Sequence, residues 1–391
     1  MTIAITIFIA LAVMLLDFIA FLRLRRNAVK KSVMFSFLSI VLISNITIIL
    51  TPVLMYSMIE EENSCYMMKI SMCLLTLYLA LSLPRLLLYI FCLSAKRKWL
   101  MWTGISLSSI LFLYFLYSIF ITRTNYIIKE IEIEDNSIPA MFNGYRLAFI
   151  SDIHSGSMMN TTEEIGEIVR IINNSNVDIV FFGGDMINIH HSEINSSQLD
   201  EFSRLKPRDG VFMVLGNHDT GAYIKNSDKD KREANIEGLV HKVESAGWVV
   251  LRDSTIYVRR GSDSIAVTGI DYNEELLKYK HSMDAVKAVD FAALYNCVPD
   301  SIFNITLSHL PQLWYSLCDN GYSDLTLSGH IHAMQMKICS FSPARFMYKE
   351  WSGLYEKENG KLYINDGIGC VGYMARFGAR PEITVIELSK K

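Results

Sequence analysis

The residues that could carry chemistry in this chain fall in short clusters. Asp152 and His154 stand in Ser151-Asp152-Ile153-His154, and Asp185 follows Gly183-Gly184. Asn217, His218 and Asp219 follow Gly216, His309 follows Ser308, and His330 and His332 lie in Gly329-His330-Ile331-His332. Carboxylate, amide and imidazole donors without a thiolate suit divalent Mn, Fe, Zn or Mg better than a structural cysteine zinc site. Asp152, His154, Asp185, Asn217, His309, His330 and His332 exceed what one tetrahedral ion needs. Two neighbouring ions sharing one carboxylate would use all of them.

Each cluster closes a short apolar run: LAFI before Ser151, DIVFF before Gly183, VFMVL before Gly216, FNITL before Ser308 and DLTL before Ser328. Runs of this length predict buried strands, and helical patterns over 163–172, 234–246 and 283–294 lie between several of them. This is the pattern of an α/β domain whose functional groups gather at strand C-terminal ends, where open α/β sheets bind ligands. Gly184, Gly216 and Gly329 permit the sharp turns that such a gathering needs. Residues 122–144 read as a connector, with an edge strand expected over the alternating stretch 127–134.

The order D-x-H, G-D, G-N-H-D, H, G-H-x-H resembles the calcineurin-like metallophosphoesterases, from about Tyr145 to Leu388. The tail through Asp366-Gly367-Ile368-Gly369, Arg376-Phe377-Gly378 and Pro381-Glu382 is similar to the membrane-associated, bacterial-type phosphodiesterase branch. The resemblance implies an α-β-β-α sandwich of two mixed sheets over 145–391 and a dinuclear centre. It implies Asp152, His154, Asp185 and His332 around one ion and Asp185, Asn217, His309 and His330 around the other, with Asp185 bridging. His218 would be a non-ligand catalytic histidine that neutralises phosphate charge and protonates the leaving oxygen, with Asn217 beside it at the substrate. Asp219 would orient His218 or support the turn, and Arg376 would contact phosphate or form a surface salt bridge. The reaction implied is hydrolysis of a phosphodiester or pyrophosphate by a metal-bridging hydroxide. Where that branch has small glycines, this chain reads His332-Ala333-Met334-Gln335, so the loop beside the ligands departs from the pattern.

The elements that must position this domain include a membrane segment. The chain has 391 residues, 51% of them hydrophobic, and a mean hydropathy of +0.25. The net charge of −3 divides into +6 over 1–121 and −9 over 122–391. An acidic globular part with no basic stripe argues against nucleic acid as a partner. Apolar runs over 3–21, 33–58, 70–93 and 100–121 predict four transmembrane helices, making 1–121 a membrane region and 122–144 its connector. Basic residues Arg23, Arg25, Arg26, Lys30 and Lys31 after the first run, and Lys96, Arg97 and Lys98 after the third, place those loops in the cytoplasm. Glu60, Glu61 and Glu62 fit the opposite side, so the catalytic domain is expected outside the cytoplasm of a cell or inner membrane. Asp17 and Arg85 lie within spans; snorkelling to the interface is expected of both, with a mutual pair as the alternative.

Four helices exceed what a tether requires, which points to membrane lipids as neighbours and a lipid-linked phosphoester as a candidate substrate. The competing function is a metal-binding membrane sensor or scaffold with a vestigial site. His190 and His191 read as solvated loop residues, His241 and His281 as helical surface or core histidines, and 225–232 as a charged solvated loop. The seven cysteines form no C-x-x-C motif and permit disulfides without demanding them.

Overall fold

A computed structural model describes residues 2–391 except 27–29, 58–60, 95–97, 225, 280 and 359. Glu60, Lys96, Arg97 and Lys225 lie outside the described residues, as do the side chains of Glu61, Glu62 and Lys98. Two compact units emerge: Met1–Ile121 with Val371–Ala375, and Thr122–Cys370 with Arg376–Lys391.

The first unit is helical: α1 (Thr2–Arg26), α2 (Lys31–Ser57), α3 (Glu61–Ser94) and α4 (Lys98–Phe120). Large apolar side chains such as Phe35, Ile90 and Leu113 face outward, as a hydrocarbon solvent requires. Three stretches among the described residues are long and apolar enough to cross a membrane: Lys31–Leu54, Cys65–Phe91 and Trp99–Thr124. The four expected spans therefore become three. α1, whose side chains are described continuously only from Ala10 to Arg26, offers too short a stretch over those residues to count as a further span.

Asp17 and Arg85 do not snorkel. Arg85 Nε lies 3.0 Å from Asp17 Oδ1, and both side chains are buried. Tyr89 donates to Asp17 Oδ1 (2.7 Å), and Arg85 reaches Ser44 Oγ (3.3 Å), which in turn bonds Ser82 Oγ (2.7 Å). A chain of polar partners makes the buried pair tolerable in an apolar unit.

The second unit is built on two six-stranded mixed sheets. One has the order β1 (Ile127–Asp135), β12 (Glu382–Lys390), β2 (Tyr145–Ile150), β3 (Ile179–Phe182), β4 (Val211–Met213), β5 (Val249–Val250). The other runs β10 (Gly353–Lys357), β11 (Gly360–Ile364), β9 (Leu325–Ser328), β8 (Asn304–Leu307), β7 (Asp263–Gly269), β6 (Ser254–Arg260). β2 through β5 pair in parallel, as do β7, β8, β9 and β11, while β2–β12, β6–β7 and β10–β11 are antiparallel. The expected edge strand is β1, paired in parallel with β12.

Alternation along the strands assigns the layers. Leu147, Phe149, Ile179 and Phe181 enter a core shared with Val267, Ile305, Leu307, Leu325 and Leu327 of the other sheet. Ala148, Ile150, Val180 and Phe182 face the opposite way, onto Ile165, Ile168, Val169 and Ile172 of α5 (Thr161–Asn174). Those four α5 positions share one helical face, so the strands are buried on both sides and read as continuous apolar runs. Trp314, Ile331, Leu362 and Ile364 form a further apolar cluster in this unit.

Two helical expectations change. The 283–294 pattern breaks into a 3-10 turn, Met283–Ala288, and a short helix, Phe291–Tyr295, because Val289 is extended and the Asp290 carboxylate caps the new start by accepting from Ala293 N. The charged run after the Asn217 loop is not all loop: Asp228 caps a helix over Lys229–Ser245 by accepting from Lys231 N.

Candidate metal centre

The C-terminal ends of β2, β3, β8 and β9, with the turn beyond β4, bring the expected ligands together. Asp152, His154 and His332 offer donor atoms within 4.8 Å of one another, as do Asp185, His309 and His330. His154, Asp185 and His218 make a third such group that links the first two.

Tight turns make this convergence possible. Asp152, His154, Asp185, His330 and His332 all have positive φ, between 34° and 72°. Their side chains swing back over the strand ends instead of continuing along them. Ala333, Met334 and Gln335 continue in the same left-handed region, where the branch it resembles has small glycines. A Cβ on Gly216 would lie 2.2 Å from Asp185 Oδ1, and one on Gly369 would lie 1.9 Å from the Ile153 carbonyl oxygen. Glycine is what lets these loops close against the ligand segments.

Each donor is aimed by a partner. His309 Nδ1 donates to the Gly183 carbonyl (2.8 Å), turning Nε2 toward Asp185 Oδ2 (3.2 Å) and Asn217 Oδ1 (3.1 Å). Asn217 Nδ2 donates to Tyr223 OH (2.9 Å), which fixes the amide with its oxygen inward. Asp185 Oδ1 accepts the His218 N–H (2.8 Å), while Oδ2 stands 3.7 Å from His154 Nε2, between the two groups. Asp152 accepts from Ser151 Oγ (2.6 Å) and from the His330 N–H (3.1 Å). Such outer bonds orient ligands and set their tautomers.

Electrostatics fit cation binding. Burial, with positive neighbours, holds the His154 and His330 imidazoles well below their ordinary pKa and that of His332 down to about 3. These rings are therefore neutral and able to ligate. Burial opposes a charge on His309, but Asp185 and Asp152 outweigh it and raise that pKa to about 9. Burial pushes Asp152 up to about 7. Both nitrogens of buried His154 and Nδ1 of His332 lack a hydrogen-bond partner. Orphaned imidazole nitrogens facing carboxylates in a buried pocket are what a divalent ion would satisfy. The donor set thus fits two ions, with Asp185 between them.

Two open alternatives narrow. Asp219 does not orient His218: its oxygens accept the N–H groups of Asp185 (2.8 Å), Met186 (2.9 Å), Ile187 (3.2 Å) and Gly216 (2.9 Å), bracing the turn. His218 is oriented instead by the Asn188 carbonyl, which accepts its Nδ1–H (2.7 Å). Arg376 forms no surface salt bridge. It is fully buried and donates to the carbonyls of Gly369, Asp366 and Ala379.

His190 bonds Ser192 in a local cap, as expected of a loop histidine. His281 is different: its ring lies 5.7 Å from that of His330, and its Nδ1 is 2.9 Å from Tyr348 OH. Tyr223 stacks on His218 at 4.3 Å and 19°. No spacing in the sequence marks His281, Tyr348 or Tyr223, because chain reversals bring them in.

A family model described as calcineurin-like phosphoesterase matches residues 145–334. That part of the chain belongs to this family. The chain is similar to a zebrafish (Danio rerio) transmembrane protein with metallophosphoesterase domain, 31% identical over 270 residues, covering 67% of this chain and 57% of that protein. It is also similar to an uncharacterized metallophosphoesterase of Bacillus subtilis, 27% identical over 271 residues, covering 66% and 84%. The match thus spans little more than half the length of the zebrafish relative. Among solved structures, a phosphopantetheinyl hydrolase from Mycobacterium tuberculosis aligns with a TM-score of 0.37 at 13% identity, covering 60% of this chain and 91% of that one.

Proposed function

We propose that this chain is a membrane-anchored, dinuclear metal-dependent phosphoesterase. The observation that carries the reading is the convergence of Asp152, His154, Asp185, His309, His330 and His332 in overlapping groups, with the Asn217 amide oxygen beside His309 and unpartnered nitrogens on His154 and His332. Asp152, His154, Asp185 and His332 would hold one ion, and Asp185, Asn217, His309 and His330 the other. Two such ions would neutralise phosphoryl oxygens and acidify water near neutral pH.

The chain's own groups do the rest. Asp219 holds the Asp185 turn, Tyr223 and His309 keep the Asn217 oxygen inward, and the Asn188 carbonyl keeps Nε2 of His218 pointed at the reacting group. From there His218 can steady the phosphate and hand a proton to the departing oxygen. Arg376 braces the loop that carries Gly369 against Ile153 and His154.

The three apolar stretches support anchoring, and membrane lipids as neighbours. The basic residues before α2 and between α3 and α4 favour cytoplasmic loops there, which puts the catalytic unit outside the cytoplasm whether or not α1 crosses. Candidate substrates are phosphodiesters, pyrophosphates and their lipid-linked forms.

The test uses the full chain in detergent with Mn and a panel of monoesters, diesters, pyrophosphates and phospholipids. Turnover should vanish on chelation and return with metal. His218→Ala should retain bound metal and lose turnover, whereas Asp185→Asn should lose both. Undiminished turnover after exhaustive chelation would overturn the reading; metal uptake with no turnover on any substrate would favour the sensor instead.

A further inference from the structure

A cavity of about 330 Å³ lies next to His330, walled by His281, Met283, Tyr315, Met347 and Tyr348, with the charged Lys349 and Glu350 on one side. His281 and Tyr348 join it to the centre, their rings 5.7 and 6.4 Å from that of His330. Away from the centre it opens outward, with Met283 52% and Met347 61% exposed. The next residue, Phe346, is 78% exposed and its ring meets that of Phe341 at 5.8 Å. Phe341 and Ile338, both exposed, exchange two backbone hydrogen bonds (2.9 and 3.0 Å) in a tight hairpin.

An apolar strip therefore runs outward from a metal ligand along a segment that begins just after the last motif. Contiguous exposed apolar side chains of this size mark an interaction site. Methionines adapt to flexible hydrocarbon better than to one rigid shape, and Met283 and Met347 wall the part that opens outward.

We propose that this cavity and its rim, from Tyr348 through Met283 and Met347 to Phe346 and Phe341, bind the hydrocarbon chain of an amphiphilic phosphoester whose phosphate sits beside His330. This assigns the substrate class of the phosphoesterase site and rests on that reading. It also gives His281 and Tyr348 a position at the junction between headgroup and chain.

The experiment uses the full chain in nanodiscs, loaded with Mn, and two probes that stay monomeric in water. Calorimetry compares ethylphosphonate with hexylphosphonate, and kinetics compares ethyl with hexyl p-nitrophenyl phosphate. Burying half of the four added methylenes gives the hexyl compounds at least a tenfold advantage in affinity and in kcat/KM. Met347→Glu and Phe346→Glu, both at exposed positions, should cut that ratio below threefold, while Tyr257→Glu on β6 leaves it unchanged. Equal affinity for both phosphonates in the wild type, or an unaltered ratio in both Glu variants, overturns the track. Turnover of both esters without chain preference overturns it while leaving the phosphoesterase reading intact. Tight hexylphosphonate binding, erased by Met347→Glu, with no turnover of either ester supports the track and removes the phosphoesterase reading.

Discussion

Gly216→Ala isolates the link between backbone packing and ligand placement. The added Cβ would stand 2.2 Å from Asp185 Oδ1 and 2.6 Å from Asp185 N, both belonging to the residue proposed as the shared ligand. To reach 3.4 Å, the near edge of ordinary contact, the carboxylate oxygen must retreat by about 1.2 Å. That oxygen also accepts the His218 N–H at 2.8 Å, so the shift breaks a bond to the proposed acid as well. Overpacking of this kind costs about 1–3 kcal/mol, and a displacement near 1 Å at a reacting centre costs roughly a hundredfold in rate. The assay is kcat/KM on a generic ester with Mn, alongside metal content by mass spectrometry and a thermal melt. Gly247→Ala serves as control, since its φ of 88° makes alanine strained but nothing lies within 4 Å of the new methyl. The control should lose about 1–2 kcal/mol and keep its activity. Gly216→Ala with two ions per chain and activity within threefold of wild type would refute the account of how Asp185 is placed.

Arg123 holds Glu164 in a buried two-bond pair (2.9 and 3.1 Å), and Glu164 also accepts the N–H groups of Met159 and Asn160. Arg123→Ala leaves that carboxylate uncompensated and should cost about 3–5 kcal/mol, read as a lowered Tm. In the helical unit, Arg85→Leu and Asp17→Leu should each destabilise by several kcal/mol. The double variant should recover most of the loss; strictly additive losses would show that the pair does not couple. Burial is the main cause of a raised pKa at Glu382, with Asp366 adding to it, although Tyr363 (2.5 Å) and Thr384 (2.7 Å) donate to it. A carboxyl raised in the native state contributes stability below its unfolded pKa and loses it as pH rises through the native value. Glu382→Gln should thus gain in Tm relative to wild type from pH 5 to pH 8, and a constant difference across that range would contradict the sign.

The strands before the ligands were legible because burial on both faces turns β2, β3 and β8 into unbroken apolar runs. The candidate ligands were legible because seven donors of suitable types follow such runs. The sequence leaves Asp219 two roles, orienting His218 or supporting the turn, and only tertiary packing, which surrounds it with the backbone donors of the Asp185 turn, selects the second. Residues 283–294 looked like one helix because apolar spacing does not register a break at Val289–Asp290. His281 and Tyr348, 67 positions apart, meet only through tertiary packing.

Five of the seven proposed ligands lie in left-handed backbone, each opposed by about 1 kcal/mol or more of intrinsic preference. No local segment would hold them there by itself: a free peptide copied from Gly329 to Gln335 would relax toward extended or right-handed conformations and scatter its imidazoles. The sheets on which these turns sit impose the geometry. Grafting the five motifs onto another scaffold would carry over their letters but not their directions.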